Sequence, residues 1–286
     1  MPIALSYFRK DDDKLVNVDI GIIVQLKHVL ENGVDNILEL GLNACQINCW
    51  NAELYTPENA EKLKEIVKDK VKITSLWAGW SPPAVWNFID GPLTLGLVPR
   101  EYRAQRINEL KKGADFANML GITDVTTHMG FIPENPATTE YRETVVAVRE
   151  VGAYCKRNNL YFNFETGQET PVTLMRTIED TGLDNLGVNL DPANLLLYGK
   201  ANPVDAVDIY GDKIRGIHVK DGMYPTNGHS LGKEMPIGEG LVNFPKLIKT
   251  LQKYNYNGPY IIEREISGPQ QKIDIIKARD FLYSVL

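Results

Sequence analysis

Eight times between residue 18 and the end of the chain, a short apolar run rich in β-branched and aromatic residues gives way to a longer stretch with amphipathic helical spacing. The strands are expected at 18–26, 44–50, 71–80, 124–130, 160–166, 186–192, 214–221 and 258–265. Helices are expected at 28–40, 57–70, 100–120, 138–159, 171–181, 203–211, 244–254 and 271–286. Thr56-Pro57 and Asn202-Pro203 read as helix starts, and Gly41, Gly121 and Gly182 as helix stops. A repeated βα unit builds either an open doubly wound sheet or a closed barrel, and a count of eight favours closure. The chain has no Gly-x-Gly-x-x-Gly after the first strand and no Gly-Lys-Ser/Thr loop, so the usual signature of nucleotide-binding open sheets is missing. The expected class is therefore α/β, a (β/α)8 TIM barrel forming a single domain over residues 1–286. Residues 2–8 are read as a further short strand, a hairpin or lid at one barrel end.

About 250 residues suffice for such a barrel, and 43% hydrophobic residues supply its core. A net charge of −6 with no basic block gives nothing to attract nucleic acid or an anionic membrane. The expected partner is a small molecule. Met1 to Arg9 hold no long apolar run and Asp11, Asp12 and Asp13 follow, so no secretory signal is read and a cytoplasmic location is expected. Cys45, Cys49 and Cys155 lie in apolar segments and are expected as buried free thiols. A homo-oligomer is expected from the general frequency of symmetric assemblies.

Along a barrel strand the side chains alternate between helix-facing and inward positions, so a polar residue at the last inward position points into the mouth. Phe162 and Phe164 share one face, leaving Asn163 and Glu165 on the other. The same parity turns Asn189 and Asp191, then His218 and Lys220, then Glu263 inward on the next three strands. Four ionisable groups, Glu165, Asp191, His218 and Glu263, thus converge at one barrel end. Burying them together is costly unless a cation binds. Their oxygen-rich, mixed O/N character suits Mn²⁺ first, with Mg²⁺, Co²⁺ or Zn²⁺ as alternatives. His128 has the parity to face the same mouth, and Trp77, with Trp80 and Trp50, offers an apolar wall for the carbon face of a sugar. The long segments 81–99 and 222–243 follow the third and seventh strands, on the face where barrel sites are built.

These stretches resemble the xylose isomerase-like TIM barrel family of sugar phosphate isomerases and epimerases. The likeness is carried by Asn163-Phe164-Glu165-Thr166, Asn189 through Asn194, Gly216 through Asp221, Pro236-Ile237-Gly238-Glu239-Gly240 and Tyr260-Ile261-Ile262-Glu263, in the family's order. The resemblance implies that Glu165, Asp191, His218 and Glu263 are metal ligands, that Glu165 and Glu263 are the catalytic acid/base pair, and that Asn194, Lys220 and Glu239 line the pocket. It also implies a divalent-metal-dependent sugar epimerase or isomerase, with C3 epimerisation of a ketose as the first expectation. Aldose–ketose isomerisation and a lyase or dehydratase on a carbonyl-bearing sugar or ring stay open, and a non-catalytic binding subunit ranks last. Epimerase members carry a second histidine where this chain has Asn194. The later βα loops show no Arg/Lys cluster for phosphate, which favours an unphosphorylated sugar. A three-metal phosphodiesterase of the endonuclease IV kind needs more histidines than His28, His128, His218 and His229.

Overall fold

In the computed structural model, residues 18–286 are described, so the expected strand at 2–8 lies outside the described residues. The strands are β1 (Ile20–Gln25), β2 (Ala44–Cys49), β3 (Lys72–Ala78), β4 (Asp124–Thr127), β5 (Tyr161–Glu165), β6 (Leu186–Leu190), β7 (Ile214–Val219), β8 (Asp221–Gly222), β9 (Glu234–Met235) and β10 (Tyr260–Ile262). All except β8 and β9 join one parallel sheet, and β1 pairs with both β2 and β10, which closes it. The architecture is the expected (β/α)8 barrel.

Alternation along the strands does what the sequence demands. Phe162, Phe164, Val188, Leu190, Ile217 and Val219 are buried in one core with helical residues such as Val148, Leu174 and Val207. Helix starts carry their capping groups: Thr56 Oγ1 accepts the Asn59 N–H at 3.1 Å, and Asn202 Oδ1 accepts from Val204 at 2.9 Å. Gly121 and Gly182 end their helices with left-handed φ values of 72° and 68°.

Four local differences arise where tertiary contacts override the pattern. The helix expected at 28–40 divides into Leu26–Asn32 and Asp35–Glu39, because Gly33 at φ 78° ends the first piece. The strand expected at 124–130 stops at Thr127, where the 81–99 segment docks: Leu97 donates its N–H to Met129 O at 3.0 Å. A short helix, Pro192–Leu197, follows β6 directly with Asp191 as its N-cap. The 222–243 segment folds back on itself through the antiparallel pairing of β8 and β9.

Candidate metal centre and active-site cavity

Glu165 is the last residue of β5, Asp191 the first after β6, His218 lies near the end of β7, and Glu263 is the first after β10. Neighbouring parallel strands of a barrel bring such ends together. One donor atom from each of the four residues lies within 4.8 Å of the others. His218 Nδ1 stands 3.2 Å from Glu165 Oε1, 3.7 Å from Asp191 Oδ2 and 3.1 Å from Glu263 Oε2.

Three of the four groups are held from behind. Asp191 Oδ1 accepts the Asn194 N–H at 2.8 Å, leaving Oδ2 for the cluster. His218 Nε2 donates to Gln46 Oε1 at 2.8 Å, and Gln46 Nε2 in turn donates to Ser75 Oγ at 2.8 Å. That chain fixes one imidazole proton on Nε2 and turns Nδ1 toward the carboxylates. Glu165 Oε2 accepts from the indole N–H of Trp77, and His128 Nε2 is 3.3 Å from Glu165 Oε1.

Burial disfavours charge on His218, yet Glu165, Asp191 and Glu263 around it hold its pKa well above the usual histidine range. Burial likewise works against ionised Glu165, but His128 and His218 draw it well below the usual carboxylate range. Lys220 is raised as well: burial opposes its charge, and Glu263, Asp191 and Glu265 outweigh that.

Asp191 Oδ2, His218 Nδ1 and Glu263 Oε2 are buried and carry no hydrogen bond of ordinary geometry. Three orphaned polar atoms facing one another, in a set of three carboxylates and one imidazole, fit a divalent cation.

Above this cluster opens a cavity of about 340 Å³ whose lining includes Trp50, Trp77, Trp86, His128, Glu165, Glu263 and Glu265. Of the residues singled out from sequence for contact with the sugar, Trp50, Trp77, His128 and Asn194 line it, whereas Trp80 is buried behind them. Lys220 sits beneath, with Nζ 3.3 Å from Asn194 Oδ1 and 3.1 Å from Glu265 Oε1. Glu239 does not come to the cavity. Gly238 and Gly240 on either side both donate their N–H groups to Asp221 Oδ2 at 3.0 Å, and Glu239 between them is exposed. Gln46, Asn48, Trp86, Tyr198 and Leu231 were not singled out. Gln46 had a signal in its inward parity on β2, whereas Trp86 and Leu231 come from long loops whose path carries no periodicity. The three cysteines are free and buried as expected.

A model of the xylose isomerase-like TIM barrel family matches residues 34–285. The chain belongs to that family. A crystal structure of a xylose isomerase domain protein from Planctomyces limnophilus is 31% identical, with a TM-score of 0.88 over 94% of this chain and 97% of that one. A putative L-ribulose-5-phosphate 3-epimerase, SgbU, of Escherichia coli K12 is 36% identical over 95 residues, so the match spans only 32% of either chain. A structure of L-ribulose 3-epimerase shares the fold at a TM-score of 0.68 and 16% identity, covering 93% of this chain and 94% of that one. Among the described residues, no helix is long and apolar enough to cross a membrane.

Proposed function

We propose that this member of the family is a divalent-metal-dependent sugar epimerase that inverts C3 of a ketose. The observation that carries the reading is the pair Glu165 and Glu263, whose carboxylates flank His218 Nδ1 at 3.2 and 3.1 Å on the floor of one cavity. Glu165, Asp191, His218 and Glu263 would hold the cation, with Mn²⁺ favoured by the mixed O/N donor set. Bound there, it supplies positive charge beside the sugar's carbonyl and hydroxyl oxygens, which makes the neighbouring C–H acidic.

The remaining work belongs to the chain. One of the two glutamates removes the C3 proton from one face of the sugar, and the other returns a proton to the opposite face. Trp77 and His128 hold the Glu165 carboxylate in place. Lys220, fixed among Asp191, Glu263 and Glu265, keeps its charge and balances these acids. The aromatic wall shields the reacting centre from water.

The test is NMR of the Mn²⁺-loaded protein's products after incubation with a panel of ketoses in D₂O. Deuterium at C3 together with a new epimer is expected. Deuterium at C1 or C2 with aldose formation would replace epimerisation by aldose–ketose isomerisation. Glu165→Gln and Glu263→Gln are each expected to cut the exchange by about 10²–10⁴-fold while the far-ultraviolet circular dichroism is unchanged. Full exchange in either variant removes that residue from the acid/base pair.

A further inference from the structure

Four tryptophans exist in the described chain, and Trp50, Trp77, Trp80 and Trp86 all gather at this one mouth. Trp77 and Trp80 are buried, while Trp50 and Trp86 remain 36% and 38% exposed. Their ring centroids are 6.2 Å apart, and Trp86 lies 5.0 Å from His128. With Ile23, Leu197, Tyr198 and Leu231 they give the upper cavity an apolar surface above a floor of carboxylates. Two partly exposed indoles facing a polar floor are a place for a ligand with one apolar face and one polar face.

The charges of the same cavity set a second condition. Among the described residues no lysine or arginine lines it, while Glu165, Glu263 and Glu265 do. Among the described residues the nearby cations are already engaged, and Arg264, between Glu263 and Glu265 in the chain, pairs with Glu234 at 2.9 Å and Asp274 at 2.8 Å. Lys220 Nζ contacts Asp191, Glu263 and Glu265 at 3.6, 3.6 and 3.1 Å. Arg106 is fully buried beneath Trp80 and donates to Gly96 O and Pro83 O at 2.7 Å each. The Asn194 amide at the start of the Pro192–Leu197 helix is occupied by Asp191. The four carboxylates of Glu165, Asp191, Glu263 and Glu265 outnumber the three positive charges of a divalent cation and Lys220, so the loaded site stays negative. A phosphate group needs free guanidinium, ammonium or backbone N–H donors, and would meet repulsion here.

We propose that the cavity selects a sugar without a phosphate group, seats its C–H face on Trp50 and Trp86, and rejects the phosphate ester of the same sugar. The inference rests on the sugar-epimerase reading for the identity of the ligand, and sets this chain apart from what the E. coli relative's name says that protein acts on. Glu265 is the specificity residue: a cavity-lining carboxylate, it makes the shortest of the three carboxylate contacts to Lys220, at 3.1 Å, and so holds that ammonium away from a phosphate.

Because all four tryptophans sit at the mouth, intrinsic fluorescence reports binding without any turnover. The Mg²⁺-loaded protein is titrated with L-ribulose, D-tagatose and D-psicose, and with the phosphate ester of each. At least one free ketose is expected to shift the emission and to bind about tenfold or more tighter than its own ester. Trp86→Leu is expected to weaken that binding about tenfold, the scale of one aromatic contact, and Glu265→Gln to narrow the gap between free sugar and ester by removing one negative charge from the lining and the nearest carboxylate from Lys220. An ester that binds as well as its parent overturns the proposal, as does a protein that binds none of the free sugars. Deuterium exchange at C3 separates the two readings. Exchange confined to esters refutes the selectivity and leaves the epimerase reading standing, whereas tight binding of a free ketose without exchange does the reverse.

Discussion

At the residue scale, Gln46 and Glu169 show how a single side chain sets the state of the site without touching a sugar. Gln46 Oε1 accepts from His218 Nε2, and its own amide donates to Ser75 Oγ, so its orientation decides which imidazole nitrogen faces the carboxylates. Gln46→Leu removes that acceptor while nearly preserving volume. Second partners of metal-binding histidines are typically worth about 10–100-fold in affinity, so calorimetric titration with Mn²⁺ should show a loss of that size. An unchanged affinity would mean the tautomer is set by the carboxylates alone. Glu169, fully buried just after β5, is a different case: burial lifts its pKa from 4.5 to about 7. Below pH 4.5 the group is protonated whether folded or unfolded, and it costs nothing. Between 4.5 and about 7 the unfolded chain ionises first, so stability falls as pH rises, and above about 7 the full penalty stands. That penalty is on the order of 3 kcal/mol. Glu169→Gln should therefore be more stable than the parent in urea at pH 8, with the difference vanishing near pH 4.5.

At the element scale, the two long segments over the mouth are ordered by single buried groups. Asp221 Oδ1 accepts the N–H groups of Gly222 at 2.8 Å and Val242 at 3.0 Å, while Oδ2 accepts those of Gly238 and Gly240 at 3.0 Å. One carboxylate thus pins both ends of the 222–243 segment. A Cβ on Gly240 would lie 2.1 Å from Asp221 Oδ1, so only glycine allows the approach. Asp221→Ala strands several buried donors and should destabilise the fold by about 2–4 kcal/mol, with limited proteolysis falling first between residues 222 and 243. Resistance equal to the parent's would show that the hairpin of β8 and β9 suffices by itself. Arg106 performs the matching task for the 81–99 segment, through its bonds to Gly96 O and Pro83 O, and thereby sets where Trp86 stands.

For the whole molecule, the barrel's closure gathers three carboxylates around one imidazole, a donor set that a shared cation would complete. Metal binding should consequently stabilise the fold as well as complete the site. At a free metal concentration a hundredfold above the dissociation constant the gain is about 2.7 kcal/mol. Thermal melts in Mn²⁺ against EDTA should differ by several degrees, and His218→Ala should abolish the difference. A melting temperature indifferent to Mn²⁺ would make the four residues an ion-pair network.

The sequence by itself determined the barrel and the convergence of Glu165, Asp191, His218 and Glu263, because both follow from short-period rules. An alternation of two along each strand separates Phe162 and Phe164 from Glu165, and the count of eight βα units favours the closure that the sheet shows. Residues that sit at strand ends, Glu165, Asp191, His218 and Glu263, inherit their place from that count. Tertiary structure alone decided what lies above the cluster. The paths of 81–99 and 222–243 depend on contacts over long separations, Arg106 to Pro83 and Asp221 to Gly240, and no periodicity encodes them. Trp86 therefore enters the cavity unannounced, and Glu239, inside a motif that the family resemblance brought to the pocket, faces solvent. Local pattern fixes which side of the sheet a residue occupies, while packing between distant segments fixes whether a loop residue reaches the site.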